Sequence, residues 1–315
     1  MKILKSVQKI PGGLMAVPLL IGALINTLFP HALQIGGFTT GLFTGSSALM
    51  GLFLVCSGAS IRFNQVGIPL YKGVTLTFIK LLLGVSVGWA VQRIFGREGI
   101  LGLTPFVLIA ALTNSNGAIY TTLASQYGDA TDVGAISILS LNDGPFFTMI
   151  ALGATGLAEI PLMSLVAAII PILVGFILGN LDEDIRKLLE SSVTMVIPFC
   201  AFALGGSMNL VTIVQAGFSG ILLGLLVVGI TGFGGFLIYN VLLRRKGCIG
   251  AAVGTTAGNA IATPAAVAAA DSSLAPFAAA ASTQIAAAVI ITALLCPVLV
   301  AVLNRYGENR ITETV

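Results

Sequence analysis

Charge is scarce in this sequence: Asp, Glu, Lys and Arg make up 9% of 315 residues, where soluble domains carry about a quarter. An ordinary water-facing surface is therefore excluded. Long polar stretches are missing too, which leaves no room for a separate soluble catalytic module. Histidine occurs once, at His31, and Cys56, Cys200, Cys248 and Cys296 are scattered without a CxxC pair. No metal or redox motif results, and the cysteines read as small buried apolar residues. HExxH and GxSxG are absent, so enzyme chemistry is not expected, and no cofactor is called for. A net charge of +3 is too small to attract nucleic acid.

Apolar residues fill the space instead, at 57% of the chain. They recur in runs of roughly twenty, the length of a bilayer-spanning helix. A helix satisfies its own backbone in lipid, whereas a barrel would alternate every second residue. The sequence predicts an all-α polytopic membrane protein of one domain, 1–315, with ten spans. They lie at 11–29, 41–61, 70–95, 101–127, 131–152, 160–179, 188–206, 214–243, 247–270 and 275–303. Lys2, Lys5 and Lys9 before an apolar run have the order of a signal peptide, but Pro11, Gly12, Gly13 and Pro18 interrupt it and no cleavage site follows. The run reads as a retained first span. With the amino terminus inside, outer loops hold only Arg93 and Arg97 while the other loop cations are cytoplasmic, which places both termini inside. Asp182, Glu183, Asp184, Arg186 and Lys187 read as a solvated loop linking two halves.

Those halves, about 1–155 and 156–315, echo one another. Gly58-Ala59-Ser60-Ile61 matches Gly205-Gly206-Ser207-Met208. Asn116-Gly117-Ala118-Ile119-Tyr120-Thr121 matches Gly258-Asn259-Ala260-Ile261-Ala262-Thr263, and the same spacing carries Asn142 onto Gln284. Five spans per half is odd, so equivalent halves must be inverted, as in many secondary transporters.

The fourth and ninth spans are broken by polar, glycine-bearing runs, Thr113-Asn114-Ser115-Asn116-Gly117 and Thr255-Thr256-Ala257-Gly258-Asn259. Unpaired backbone at that depth is tolerated only inside protein or beside a wet cavity. Asn116 is expected to cap the second half of span four, and Thr263 followed by Pro264 has the order of a cap and first helical residue. Two half-helix amino termini then face a small anionic ligand. Tight packing by small residues is the plainer reading of the same sequences. Asp143 is the one carboxylate read as deep in a span, which costs about 2.5–3.5 kcal/mol and calls for a partner or a function. With Asn142 and Gln284 it is the candidate site for H⁺ or Na⁺; a structural pair with Lys80 is the alternative. Lys80 is otherwise placed on the substrate carboxylate or snorkelling to an interface. Ser282 and Thr283 beside Gln284 are expected to face the cavity, and Tyr120 and Thr121 to offer hydroxyls to a sugar-like ligand.

Four stretches resemble a known family over nearly the whole chain: KxxQKIPGG at Lys5–Gly13, TNSNG at Thr113–Gly117, SLNDGPFFTM at Ser140–Met149 and TTAGNAIATPAA at Thr255–Ala266. It is that of the bacterial 2-keto-3-deoxygluconate permeases. The resemblance implies uptake of that sugar acid by cation symport, usually of protons, across the inner membrane. It also implies the ten-span fold of bile-acid-type and sodium/proton-antiporter-type transporters, in which a core moves against a panel. Carried over, 70–152 and 214–303 form the core, and 11–61 and 160–206 form the panel. A homodimer is compatible with that fold. The rival function is a monovalent cation/proton antiporter, which one deep carboxylate permits and a sugar-sized polar set disfavours.

Overall fold

The computed structural model describes residues 2–8, 13–62, 67–139, 142, 144–206 and 217–312. Asp143, Ser207 and Met208 lie outside the described residues. Among those described, regular structure is helical apart from one isolated bridge, Ile100 to Leu103.

A short α1 (Ile3–Gln8) leads to α2 (Gly13–Leu28), and α3 (Gly37–Thr44) meets α4 (Ser46–Ala59) at a 63° bend beside Gly45. The long α5 (Ile68–Phe95) is followed by α6 (Pro105–Leu112) and α7 (Gly117–Tyr127), the two parts of the fourth predicted span. In place of one helix over 131–152 come α8 (Ala130–Gly134), α9 (Ile136–Leu139) and α10 (Phe146–Thr155). Pro145 stands at the N-cap of α10, where its missing N–H costs little. Next come α11 (Leu162–Leu181) and α12 (Glu183–Gly205), with Asp182 alone between them. The predicted solvated loop is therefore the first turn of α12. Asp182 Oδ1 accepts from Asp184 N at 2.7 Å and Ile185 N at 3.3 Å, and Glu183 and Asp184 sit where the helix dipole favours negative charge. A π-helical turn, Val227–Gly232, joins α13 (Gly217–Leu226) to α14 (Phe233–Val241). The ninth predicted span is α15 (Gly247–Ala251), a 3-10 turn (Gly258–Ala262) and α16 (Thr263–Ala270); α17 (Ala275–Thr312) completes the chain.

Four of these stretches are long and apolar enough to cross a bilayer: Ile68–Phe95, Leu162–Leu181, Gly217–Val241 and Ser272–Arg305. The bent α3–α4 pair makes a fifth. Large apolar side chains such as Phe38, Phe78, Leu173, Phe218 and Leu294 point outward, the inverse of a soluble surface.

Packing sorts the helices into two groups. In the first, α2 lies on α12, and α4 on α11 and α12. Glycine makes this contact backbone to backbone: a Cβ on Gly205 would stand 2.1 Å from Leu19 O, and one on Gly175 1.9 Å from Val55 O. In the second, α5 lies on α6, α13 on α17, α14 on α15 and α16 on α17. Between the groups is a cavity of about 330 Å³, with Leu54, Ala167 and Ala168 on one wall and Ala262, Ala266 and Ala269 on the other. Landmarks recur at the spacing of the sequence echo. Pro105 begins α6 and Gly247 begins α15, while Asp129 and Asp271 each cap the turn that follows them.

Candidate functional site: the crossing of two broken helices

In the first break, Thr104 Oγ1 accepts from Val107 N at 3.2 Å and Pro105 opens α6, a strong start for a helix with no exposed residue. The helix stops at Thr113, whose hydroxyl turns back to Ile109 O at 2.8 Å and accepts from Thr148 at 2.9 Å. Asn114 Nδ2 donates to Ala110 O at 2.6 Å, so the carbonyl that the break frees is answered by a side chain. Asn116 caps α7 as expected, its Oδ1 accepting from Ile119 N at 3.1 Å. Between them Ser115 is fully buried, and its hydroxyl has no partner among the described residues.

The second break is built differently. No side chain caps α16: Ala262 holds the N-cap with φ −86° and ψ −14°, Thr263 is the first helical residue and Pro264 the second. The expected Thr263 cap is thus a correction. Ala262 is already near-helical because the 3-10 turn runs straight into α16, so no extended residue remains to act as a cap. Pro264 still fits, since an N–H in the first turn has no helical acceptor.

Three direct hydrogen bonds stitch the breaks together. Asn116 N donates to Thr255 Oγ1 at 2.9 Å, Thr256 Oγ1 to Ala111 O at 3.1 Å, and Ala257 N to Asn114 Oδ1 at 3.0 Å. Thr256 N also donates to Thr292 Oγ1 of α17 at 3.2 Å. Of the polar residues assigned to substrate, Asn114, Thr255 and Thr256 are therefore engaged across the crossing, and Asn259 is buried in the 3-10 turn. Tyr120 gives its hydroxyl to Asp132 O at 3.0 Å, and Thr121 gives its own to Gly117 O at 2.8 Å.

Lys80 of α5 is fully buried and donates to Val253 O and Thr255 O, each at 2.7 Å. Gln284 Nε2 donates to Gly102 O at 2.7 Å and Ser219 Oγ at 2.9 Å, tying α17 to the loop before α6 and to α13. Ser282 and Thr283 are buried beside it. Neither amide atom of Asn142 has a partner among the described residues, so no hydrogen bond joins it to Gln284. Asp271, at the α16–α17 turn, accepts from Glu159 N at 2.7 Å and Ser273 N at 2.9 Å; the Glu159 bond leads in holding its carboxyl below the usual range.

Sequence reading missed one cluster. Lys72, counted there among the loop cations, is buried, and its ammonium meets Asp132 Oδ1, Thr131 Oγ1 at 2.7 Å and Asp129 Oδ1 at 3.2 Å. Tyr239 of α14 donates to the same Asp132 oxygen. Asp132 is thus a buried carboxylate that the sequence reading did not single out. Two signals were present: Lys72, Leu76, Lys80, Gly84 and Gly88 form one buried stripe of α5, and Asp129 with Asp132 has capping-box spacing.

A family model described as 2-keto-3-deoxygluconate permease matches residues 4–309. The chain is 53% identical over 304 residues to 2-keto-3-deoxygluconate permease 1 of Salmonella typhimurium, covering 95% of this chain and 94% of that protein. It is 40% identical to the 2-keto-3-deoxygluconate permease of Bacillus subtilis, over 94% of this chain and 92% of the relative. An Escherichia coli O7:K1 permease of the same name is 39% identical, over 98% and 97%.

Proposed function

The chain belongs to the 2-keto-3-deoxygluconate permease family, and on that premise we propose that it carries 2-keto-3-deoxygluconate, or a closely related sugar acid, into the cell by cation symport, with H⁺ as the coupling ion. The observation that carries the reading at the site is Ser115, a buried hydroxyl without a partner among the described residues at the amino-terminal end of α7, where a positive dipole end suits a carboxylate. Thr113, Asn114, Asn116, Thr255 and Thr256 belong to the crossing around that point, and Asn259 and Thr263 follow in the second broken span; those bonded across the crossing hold its shape rather than await the ligand.

The working architecture is ten spans in two inverted five-span repeats, supported by the paired landmarks at Pro105 and Gly247 and at Asp129 and Asp271. Both termini are cytoplasmic in this scheme. The glycine-packed group of α2, α4, α11 and α12 serves as the panel and the remaining long helices as the core, which moves past it as an elevator. The coupling ion binds at Asp143 beside Asn142 in the sequence, whose amide, without a partner among the described residues, is the support for placing it there. A core carrying substrate without its cation would take an uncompensated charge through low dielectric, so only the doubly loaded or empty core crosses.

The test is uptake of radiolabelled 2-keto-3-deoxygluconate into proteoliposomes under separately imposed pH and Na⁺ gradients. Accumulation driven by the pH gradient and lost in Asp143→Asn is expected. No accumulation under either gradient by folded protein removes the substrate and leaves cation/proton antiport as the reading.

A further inference from the structure

We propose that Lys80 is a resident cation of the crossing: its ammonium fills, permanently, a carbonyl site of the kind that binds a monovalent ion. Unwound helices in membranes leave carbonyl oxygens that commonly coordinate Na⁺. Here the unwound stretch after α15 presents Val253 O and Thr255 O, and the ligand on both is Lys80 Nζ at 2.7 Å. The Thr231 hydroxyl, in the π-helical turn between α13 and α14, donates to Val227 O at 2.8 Å and reaches Val253 O at 3.4 Å. That turn reaches the break closely: a Cβ on Gly254 would stand 2.8 Å from Gly232 Cα. The oxygens therefore sit in a closed niche that the tip of Lys80 and the Thr231 hydroxyl reach.

Its neighbour on the same helix face shows what is unusual. Lys72 is neutralised by Asp132 and Asp129, whereas no described carboxylate lies within ion-pair distance of Lys80. A fully buried ammonium without a counter-charge is costly, and carbonyl dipoles are what answer it here, as they answer an alkali ion in a filter. Without the ammonium, Thr255 O would lose the donor that Lys80 supplies in low dielectric, while Val253 O would keep Thr255 N at 2.7 Å. The inference rests on the transport reading only for its consequence, that this point of the crossing requires no Na⁺ and that a movable coupling ion binds elsewhere.

Thermal unfolding of purified protein in detergent, without substrate, tests it. The native chain is expected to melt at one temperature in Na⁺, choline or ethylammonium chloride. Lys80→Ala should melt lower in choline by roughly 5 °C and recover in Na⁺ or ethylammonium, both small enough for the vacated niche. Lys80→Met, whose stem blocks the niche, should melt lower in every salt. A Met variant as stable as the native chain, or a folded Ala variant indifferent to all three salts, overturns the proposal. If neither variant folds in any salt, Lys80→Arg decides: folded protein upholds the need for a charge, and its failure overturns it. Because no sugar acid is present, failure of the uptake assay leaves this result standing, and the reverse holds as well.

Discussion

In the first broken helix Asn116 caps α7 with its own side chain and Asn114 answers the carbonyl of Ala110, both within one turn of the break. In the second, the freed groups are met from far along the chain: Lys80 and Thr231 on one side, Thr292 and Cys296 on the other. The first break adds local partners to the bonds it shares with Thr148, Thr255 and Thr256, whereas the second draws on α5, the π-helical turn and α17. Among the described residues the first break is left with a hydroxyl to spare at Ser115, and the second with a resident charge.

This contrast can be broken most severely at Asn114, the residue that serves both sides. Asn114→Leu strands Ala110 O and Ala257 N in the interior and is expected to cost about 3 kcal/mol, at roughly 1–3 kcal/mol per orphaned group, read as a fall in melting temperature in detergent. The caps sharpen it. Asn116→Ala should cost about 1 kcal/mol, whereas Thr263→Val should lose no cap and cost less than Asn116→Ala, because no N–H in α16 relies on that hydroxyl. An equal loss in both variants would mean that the two half-helices begin alike. The smallest effect is at Asp271, which ties the segment after α10 to the α16–α17 turn. Its carboxyl titrates below its unfolded value, so its contribution is present above about pH 4 and fades as pH falls further. Asp271→Asn should be less stable than the native chain at neutral pH, and the difference should shrink on acidification.

The same contrast explains which parts were legible beforehand. Apolar runs placed the long helices to within a few residues: 160–179 was expected and Leu162–Leu181 is found, 70–95 expected and Ile68–Phe95 found. The Asn116 cap was legible because a cap is a local pattern. Thr263 was misassigned because the 3-10 turn that displaces it follows from how the second break is pulled by distant partners. Span five reads as one run since hydropathy counts apolar residues and says nothing of whether the backbone ladder persists through Ala135 or Gly144 and Pro145. The Lys72 and Asp132 cluster escaped because a lysine near a helix start looks like a topological cation until tertiary packing closes over it.

The cavity walls between the two helix groups differ from the glycine seams in one further respect. Where Gly175 meets Val55 and Gly205 meets Leu19, each helix fits its neighbour in a single position, because any shift drives a side chain into backbone. Ala262, Ala266 and Ala269 face Ala167 and Ala168 instead, and a methyl group one turn higher offers nearly the same surface as the one below. The α16 side of such a wall has little preference for register: displaced by about 5.4 Å, it offers alanine again, although α11 changes to Ser164 or Pro171 one turn away. One side of the protein is notched and the other is smooth.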